Sequence, residues 1–218
     1  MFPCIATSLQ GFVQQLAVSY VAHGYWFYVT GFVPEGKDPA AIDRKLIDRY
    51  QIGLSKWAKA RRKQNGAANL QYIRHGRFFV LLATHGRHPF FEHEARVIRD
   101  VRHVSIKHGG YSVSFRGGHA HVRIDQREYN RLKAHLLALA KHRREESLVE
   151  VFARFPFEPY APIRRQLLNL LRAVNRSRRE SGFSQIPSDA LRLRRRIVKP
   201  FADVWQESPP LEEPSAFP

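Results

Sequence analysis

Residues 103–124 read HVSIKHGGYSVSFRGGHAHVRI, and two Gly-Gly pairs divide them into three short segments of alternating polarity. Two-residue Gly-Gly loops supply the positive φ angles that tight hairpin turns require. Closing both turns aligns Ile106, Val113 and Val122 across one face. A slip of one residue would scramble both faces, so the agreement across two turns supports this register. The stretch therefore predicts a three-stranded β-meander with one apolar face that belongs to a core.

The opposite face of the meander is predicted to carry only polar side chains. Guanidinium and ammonium groups bind phosphate, while hydroxyl and imidazole groups can bond to phosphates or to base edges. We therefore expect this face to contact nucleic acid. Its residues are His103, Ser105, Lys107, Ser112, Ser114, Arg116, His119, His121 and Arg123.

The composition of the chain favours the same kind of partner. Its 218 residues include 36 Lys and Arg against 19 Asp and Glu, which gives a formal net charge of +17 and a sequence pI near 10.6. Such an excess favours a polyanion, and the release of phosphate counterions would make binding sensitive to salt. The chain is long enough to bury one core, or one core with an appendage.

The cysteine content and the hydropathy pattern exclude several classes of protein. A single cysteine, Cys4, rules out an intramolecular disulfide framework and a thiolate zinc cage, and it fits a reducing, cytoplasmic environment. No apolar run approaches the roughly 20 residues that span a bilayer, so no membrane partner is expected. Residues 1–23 lack a basic start, and we interpret them as a helix or a misplaced start rather than a signal peptide.

The elements before the meander predict a ferredoxin-like fold. A strand is expected over residues 25–33. A helical region with an apolar stripe that includes Trp57 should follow, interrupted at Gly53 and stopped at Asn65-Gly66. Next come a hairpin over residues 70–84 and a helix that starts at Pro89 and continues through Val101.

With a strand at 103–107, this order is β-α-β-β-α-β, the split βαβ arrangement of an α+β, ferredoxin-like antiparallel sheet. We expect the strand at 103–107 to lie at a sheet edge, so that the meander extends the sheet from there. One sheet face should be covered by the two helices. The other face could present the aromatic run 25–28 as a platform for unpaired bases, or it could be buried by a later helix.

The C-terminal third is predicted to be helical and basic. The predicted organisation is an N-terminal segment (1–23), the extended sheet domain (24–124), a helical region (125–200) and a disordered tail (201–218). Helices should begin near Asp125 and Pro162, separated by a proline-rich linker. Clustered cations there are expected to contact phosphate. They are Arg176, Arg178, Arg179, Arg192, Arg194, Arg195, Arg196 and Lys199.

The element order, the basic charge and the triplet His119-Ala120-His121 resemble the HUH single-strand nucleases of mobile elements, most closely the REP-associated tyrosine transposases. This resemblance implies that His119 and His121 bind a divalent metal, Mg²⁺ or Mn²⁺, and that a tyrosine attacks the scissile phosphate. The chain departs from the family at the positions of its metal-binding histidines and its nucleophilic tyrosine. Phe78-Phe79-Val80 stand where the family has its histidines, and Leu170-Leu171 stand where it has its tyrosine.

Two other tyrosines are candidates for the missing nucleophile. Tyr160 lies in a loop that could approach the sheet, and it could equally fill a gap as a linker aromatic. Tyr129 lies on the helix after the meander, where packing in the core is the competing interpretation.

Two main hypotheses of function follow. The first is a protein that binds structured or single-stranded DNA or RNA without catalysis of its own and without a cofactor. The second is a metal-dependent single-strand endonuclease or transposase that uses His119 and His121. A component of a ribonucleoprotein is a variant of the first hypothesis. Whether the nucleic acid is DNA or RNA, and whether the protein is a monomer or a homodimer, both stay open.

Overall fold

A computed structural model, which describes residues 3–201, has an α+β fold with two antiparallel sheets and a helical C-terminal portion. This confirms the predicted fold class. The strands are β1 (Phe27–Phe32), β2 (Leu70–His75), β3 (Phe78–Ala83), β4 (Arg99–Asp100), β5 (Ile106–His108), β6 (Tyr111–Arg116) and β7 (His119–Ile124).

Helices precede, separate and follow these strands along the chain. The first helix, α1 (Leu9–Gln14), continues as a π-helical turn (Gln15–Tyr20) and a 3-10 turn (Val21–His23). The helices are α1 (Leu9–Gln14), α2 (Pro39–Arg49), α3 (Lys56–Gln64), α4 (Phe90–His93), α5 (Gln126–Ala140), α6 (Glu145–Ala153) and α7 (Ala161–Glu180). Among the described residues, no helix combines the length and the apolar character needed to cross a membrane.

The first sheet has the strand order β2-β3-β1-β4, and all its neighbours are antiparallel. This is the order of a split βαβ arrangement. The predicted hairpin about His75-Gly76 is confirmed, because β2 pairs with β3 from Leu70↔Ala83 to His75↔Phe78.

The fourth strand is earlier in the chain than predicted. It consists of Arg99–Asp100, whereas the sequence predicted an edge strand at 103–107. The helix that starts after Pro89 ends at His93, so the prediction that it continues through Val101 is wrong. The Val101 N–H instead donates to the Trp26 carbonyl, which places this segment beside β1.

The meander has the predicted register but forms its own sheet, in the order β5-β6-β7. Ile106 pairs with Val113, and Val113 pairs with Val122. All four turn glycines have positive φ, as the Gly-Gly turns require. After β4, the N–H groups of His103 and Val104 donate to the Asp100 carbonyl. That turn redirects the chain before β5, which is why the meander does not continue the first sheet.

The long helical region breaks as predicted near Gly53, but its apolar stripe does not continue through the break. Helix α2 ends at Arg49, Gln51 has a φ of 49°, and Ser55 caps α3 by accepting from the Ala58 N–H. Trp57 is 82% exposed, so the prediction that it faces a core is wrong. The break changes the direction of the chain, and helical periodicity cannot be carried across it.

The first sheet lies between two cores. On β3, Val80 and Leu82 belong to a first core with α1 and the C-terminal helices, while Leu81 and Ala83 belong to a second core with the end of α2. Both faces of the sheet are therefore covered. Of the two alternatives for the aromatic run 25–28, burial is observed rather than an open platform, since Tyr28 is 1% exposed and Tyr25 and Trp26 pack against the first core.

A buried ion pair fastens α2 to β2. Both oxygens of the Asp43 carboxylate accept from the Arg74 guanidinium, at 2.8 Å from Nε and 2.7 Å from Nη2. The Tyr72 hydroxyl also donates to Asp43, at 2.6 Å. Because every charged group in this cluster has a partner, its burial is tolerated. The predicted disordered tail lies outside the described residues, except for Phe201, which pairs with Ala6.

Candidate nucleic-acid interface

The polar face of the meander is built by cross-strand pairs of β6 and β7. Ser112 lies opposite Arg123, Ser114 opposite His121, and Arg116 opposite His119. Because alternate residues of a strand share a face, these six side chains project from the same side of the sheet, as predicted. Arg116, His119 and Arg123 are exposed, Ser112 and His121 are half-buried, and Ser114 is buried.

The three remaining residues predicted on this face differ in their surroundings. His103 and Ser105 precede β5, so the pairing of the meander does not include them. Lys107 is on β5, but its ammonium group pairs with the Asp125 carboxylate at 2.7 Å. This contact also lowers the pKa of Asp125. Lys107 therefore pairs with Asp125, which caps the start of α5 by accepting from the Arg127 N–H, rather than offering an unpaired charge.

His121 lies at an electropositive point of the face. Its pKa is lowered, first by burial and then by the guanidinium groups of Arg123, Arg116 and Arg165. Its Nδ1 atom is buried and has no hydrogen-bond partner within residues 3–201. A neutral imidazole surrounded by three guanidinium groups is suited to an anionic group as a neighbour.

The donors around His119 and His121 do not fit Mg²⁺ or Mn²⁺. Both cations prefer carboxylate and carbonyl oxygens. Nowhere in residues 3–201 do three or more His, Cys, Asp or Glu side chains cluster in a way that could hold a metal. The charged groups whose fields reach His121 are arginines, which repel a cation. The residues around His119 and His121 therefore do not fit the expected metal site, and no metal-dependent step follows from them.

One side chain of helix α7 forms hydrogen bonds with the free edge of the meander. The Gln166 amide accepts from the Ile124 N–H at 2.8 Å and donates to the Ile124 carbonyl at 3.1 Å. The amide thus replaces a neighbouring strand at the edge of β7. Arg165, the residue before Gln166, is one of the cations that lower the pKa of His121. The first turns of α7 therefore continue the polar face of the meander.

The outer side of α7 carries a row of exposed polar residues. Residues three or four apart lie on the same helix face, and the row runs along the helix for about 21 Å. The core-facing side carries Leu167, Leu170 and Val174, which are buried. The row consists of Arg165, Asn169, Arg172, Arg176 and Arg179.

Two open grooves flank this row. One, of about 490 Å³, runs toward Gln185 and Ile186, and the other, of about 550 Å³, runs toward α5. Arg172 and Arg176 line both of them. The groove toward α5 is further lined by the cations Lys133 and Lys141, and Glu180 is its one carboxylate. The charged side chains that line the two grooves are therefore mostly positive.

Arg178 is a structural residue, which corrects its prediction as a phosphate contact. It is 1% exposed, and its guanidinium donates to the carbonyl oxygens of Ala140, Arg143 and Ser184. These bonds join α7 to the end of α5 and to the segment after α7. Helical periodicity places position 178 toward the core, and this signal was present in the sequence.

The cations of residues 191–200 divide into two groups. Arg192 pairs with the buried Glu158 carboxylate, and Arg195 lies over the Tyr160 ring at 4.9 Å. The Arg196 N–H also donates to Glu158, at 2.9 Å. These contacts fold the segment back onto the protein. The cations that remain exposed are Arg194, Arg196 and Lys199.

Neither candidate tyrosine has the surroundings of an activated nucleophile. Tyr160 occupies the N-cap position of α7 and is half-buried, and burial raises the pKa of its hydroxyl. Tyr129 packs against the first core, and burial raises its pKa as well. A raised pKa reduces the fraction of tyrosinate, which is the attacking species.

No family model matches this sequence, and no curated protein matches it at a significant level. The resemblance to HUH nucleases stays a prediction. Sequence reasoning left two residues out of the site, Arg165 and Arg172. Their spacing of seven residues, continued by Arg176 and Arg179, was the signal that could have included them.

Proposed function

We propose that this protein binds nucleic acid along one continuous basic surface and has no catalytic activity of its own. We call this basic surface the meander–α7 surface. It consists of Arg116, His119, His121, Arg123, Arg165, Arg172, Arg176 and Arg179.

The observation that carries the proposal is the junction at Arg165. Gln166 holds the start of α7 against the edge of β7, and the Arg165 charge reaches His121. Two basic patches that could have faced different directions therefore form one track. A surface of this kind can follow a phosphate backbone over several nucleotides, because each guanidinium neutralises a phosphate and releases its counterions.

The side chains between the arginines favour nucleic acid over a simple polyanion. Ser112, Asn169 and His119 supply polar donors and acceptors next to the cations. Such groups can bond to base edges or to sugars, whereas arginines position the backbone. The second function considered, a metal-dependent nuclease, is disfavoured by the arginines around His121 and is not proposed.

Charge reversal on α7 tests the proposal. Arg172→Glu/Arg176→Glu should weaken binding of labelled single-stranded and hairpin oligonucleotides about tenfold or more, because both residues line both grooves. The slope of log K against log salt should become shallower by about one to two units. Fluorescence anisotropy over a series of salt concentrations measures both quantities.

The matched control is Lys37→Glu/Arg96→Glu, which makes the same change in net charge at two exposed positions outside this surface. It should change the affinity by no more than about twofold, as expected of net charge alone. Equal loss in both variants, or no loss in either, would contradict the proposed site. Addition of Mn²⁺ should leave the oligonucleotides intact, and cleavage that depends on His119 would overturn the proposal of a non-catalytic protein.

A further inference from the structure

Helix α3 exposes a large aromatic side chain that no core accounts for. Trp57 is 82% exposed, although it lies in an ordered helix capped by Ser55. On the same helix face are Ala60, Arg61 and Gln64, which are exposed as well. None of the residues of α3 is buried.

The inner side of α3 fixes the orientation of Trp57. The Lys59 carbonyl accepts from the Asn69 side chain at 2.9 Å, and the Arg62 guanidinium donates to the Gln51 side chain at 3.1 Å. The Arg62 carbonyl accepts from the Ala67 N–H at 2.9 Å. The helix is thus attached through one side, and the indole points away from that attachment.

The charge of α3 indicates what covers the indole. The helix sequence, KWAKARRKQ, has five cations in nine residues and no acidic residue. Aromatic rings stack on unpaired bases, and neighbouring Lys and Arg bind the flanking phosphates. A helix that lies on a membrane needs a continuous apolar face. Here Arg61 and Gln64 interrupt the face that holds Trp57, so a nucleic acid fits better than a lipid surface.

We propose that the outer face of α3 is a second nucleic-acid contact, in which Trp57 stacks on an unpaired base while Lys56, Arg61 and Lys63 bind phosphates beside it. This inference rests on the proposed function, because it takes the same class of ligand.

The α3 contact is separate from the meander–α7 surface. Helix α3 is attached beside Gln51 and Asn69, next to the second core that includes Ile52 and Leu70. Helix α7 packs in the first core, on the other face of the first sheet. One chain therefore offers two contacts on opposite sides of the sheet, and it could bind two segments of one nucleic acid at the same time.

The test uses the full chain and a labelled single strand of about six nucleotides, short enough to cover only one of the two contacts. Titration calorimetry should find two oligonucleotides per wild-type chain. Trp57→Ala should weaken one of the two binding events about fivefold or more, and Trp57→Phe should weaken it less, because a phenyl ring still stacks. Oligonucleotide binding should quench the tryptophan fluorescence of the wild type, and Trp57→Phe should lose the part of that quenching that comes from Trp57.

Phe32→Ala is the matched control, since Phe32 is also an exposed aromatic, at 68%. It should leave both binding events unchanged. The thermal midpoint of Trp57→Ala should equal that of the wild type, because an exposed side chain is removed.

The outcomes separate this inference from the proposed function. Arg172→Glu/Arg176→Glu should lose the other binding event and keep the one that depends on Trp57. Wild-type binding by Trp57→Ala overturns the α3 contact and leaves the meander–α7 surface in place. A single event that depends on Trp57 but not on Arg172 supports α3 and overturns the proposed function. No binding to the wild type overturns both.

Vesicles that contain phosphatidylserine provide the final arm. Vesicle binding that requires Trp57, together with oligonucleotide binding that does not, would identify a membrane contact and overturn the inference.

Discussion

At the scale of single residues, the clearest consequence of the fold is a pair of histidines between the two sheets. The Nδ1 atom of His75 lies 3.0 Å from the Nε2 atom of His108, and the Phe78 ring stacks on His108 at 4.2 Å. One imidazole must donate and the other accept, so the accepting ring must be neutral, and protonation of both rings would break the bond. Burial lowers the pKa of His108 to about 4, and it lowers the pKa of His75 as well.

The histidine pair predicts a loss of stability in mild acid. An unfolded histidine has a pKa of about 6.5, so below that pH the unfolded chain binds more protons than the folded one. The contribution of the pair is present above about pH 6.5 and is lost as the pH falls toward 4. Urea denaturation from pH 7 to pH 4 should show the midpoint falling over this window.

The double variant His75→Phe/His108→Phe should show a flatter dependence on pH than the wild type. The control His103→Gln changes an exposed histidine and should keep the wild-type dependence. A double variant with an undiminished slope would show that other groups cause it.

At the scale of elements, local patterns predicted best where one period continues without a break. The register of β5, β6 and β7 was predictable, because alternation and two Gly-Gly turns act over neighbouring residues. The exposure of Trp57 was not predictable, because the break after Arg49 interrupts the helical period. The early end of α4 was also missed, since the bond from the Val101 N–H to the carbonyl of Trp26, the residue before β1, competes with helix continuation.

The attachment of α7 to β7 is an element-scale feature that can be tested. Gln166→Leu would leave the buried N–H and carbonyl of Ile124 without partners, which should cost about 1–3 kcal/mol of unfolding free energy. It should also weaken oligonucleotide binding, because Arg165 would lose its position beside His121. Urea denaturation and fluorescence anisotropy measure the two effects.

The control Gln126→Leu removes an exposed amide that bonds to the exposed side chain of Asn130. It should alter the unfolding free energy by less than about 0.5 kcal/mol. If Gln166→Leu behaves in the same way, the edge contact does not stabilise the fold.

At the scale of the whole molecule, segments distant in sequence complete each other. Phe12 of α1, Val122 of β7 and Leu170 of α7 belong to one buried cluster. The segment after α7 returns to the N-terminal region, where the Gln14 side chain bonds to both backbone groups of Val198. Glu158 holds the same segment through Arg192 and the Arg196 N–H. The N-terminal segment and the basic C-terminal residues are thus parts of one packed structure.

Glu158→Gln should loosen this returning segment. The amide would lose the charge that pairs with Arg192, and one of its two terminal groups could no longer accept a hydrogen bond. Limited trypsin digestion should then cut after Arg192, Arg194 or Arg196 several times faster than in the wild type, because local opening becomes less costly. The control Glu150→Gln alters the largely exposed pair with Arg154. In this control, cleavage after Arg192, Arg194 or Arg196 should keep the wild-type rate.

The sequence by itself determined the class of fold, the register and polar face of the meander, and the strongly basic character of the protein. Each of these depends on composition or on contacts between near neighbours in the chain, which a residue pattern records directly. Tertiary structure alone decided that the meander forms its own sheet, that the Arg165 charge reaches His121, and that Trp57 faces solvent. These outcomes depend on contacts between distant segments, and the energies of such contacts are set by packing that no local period contains.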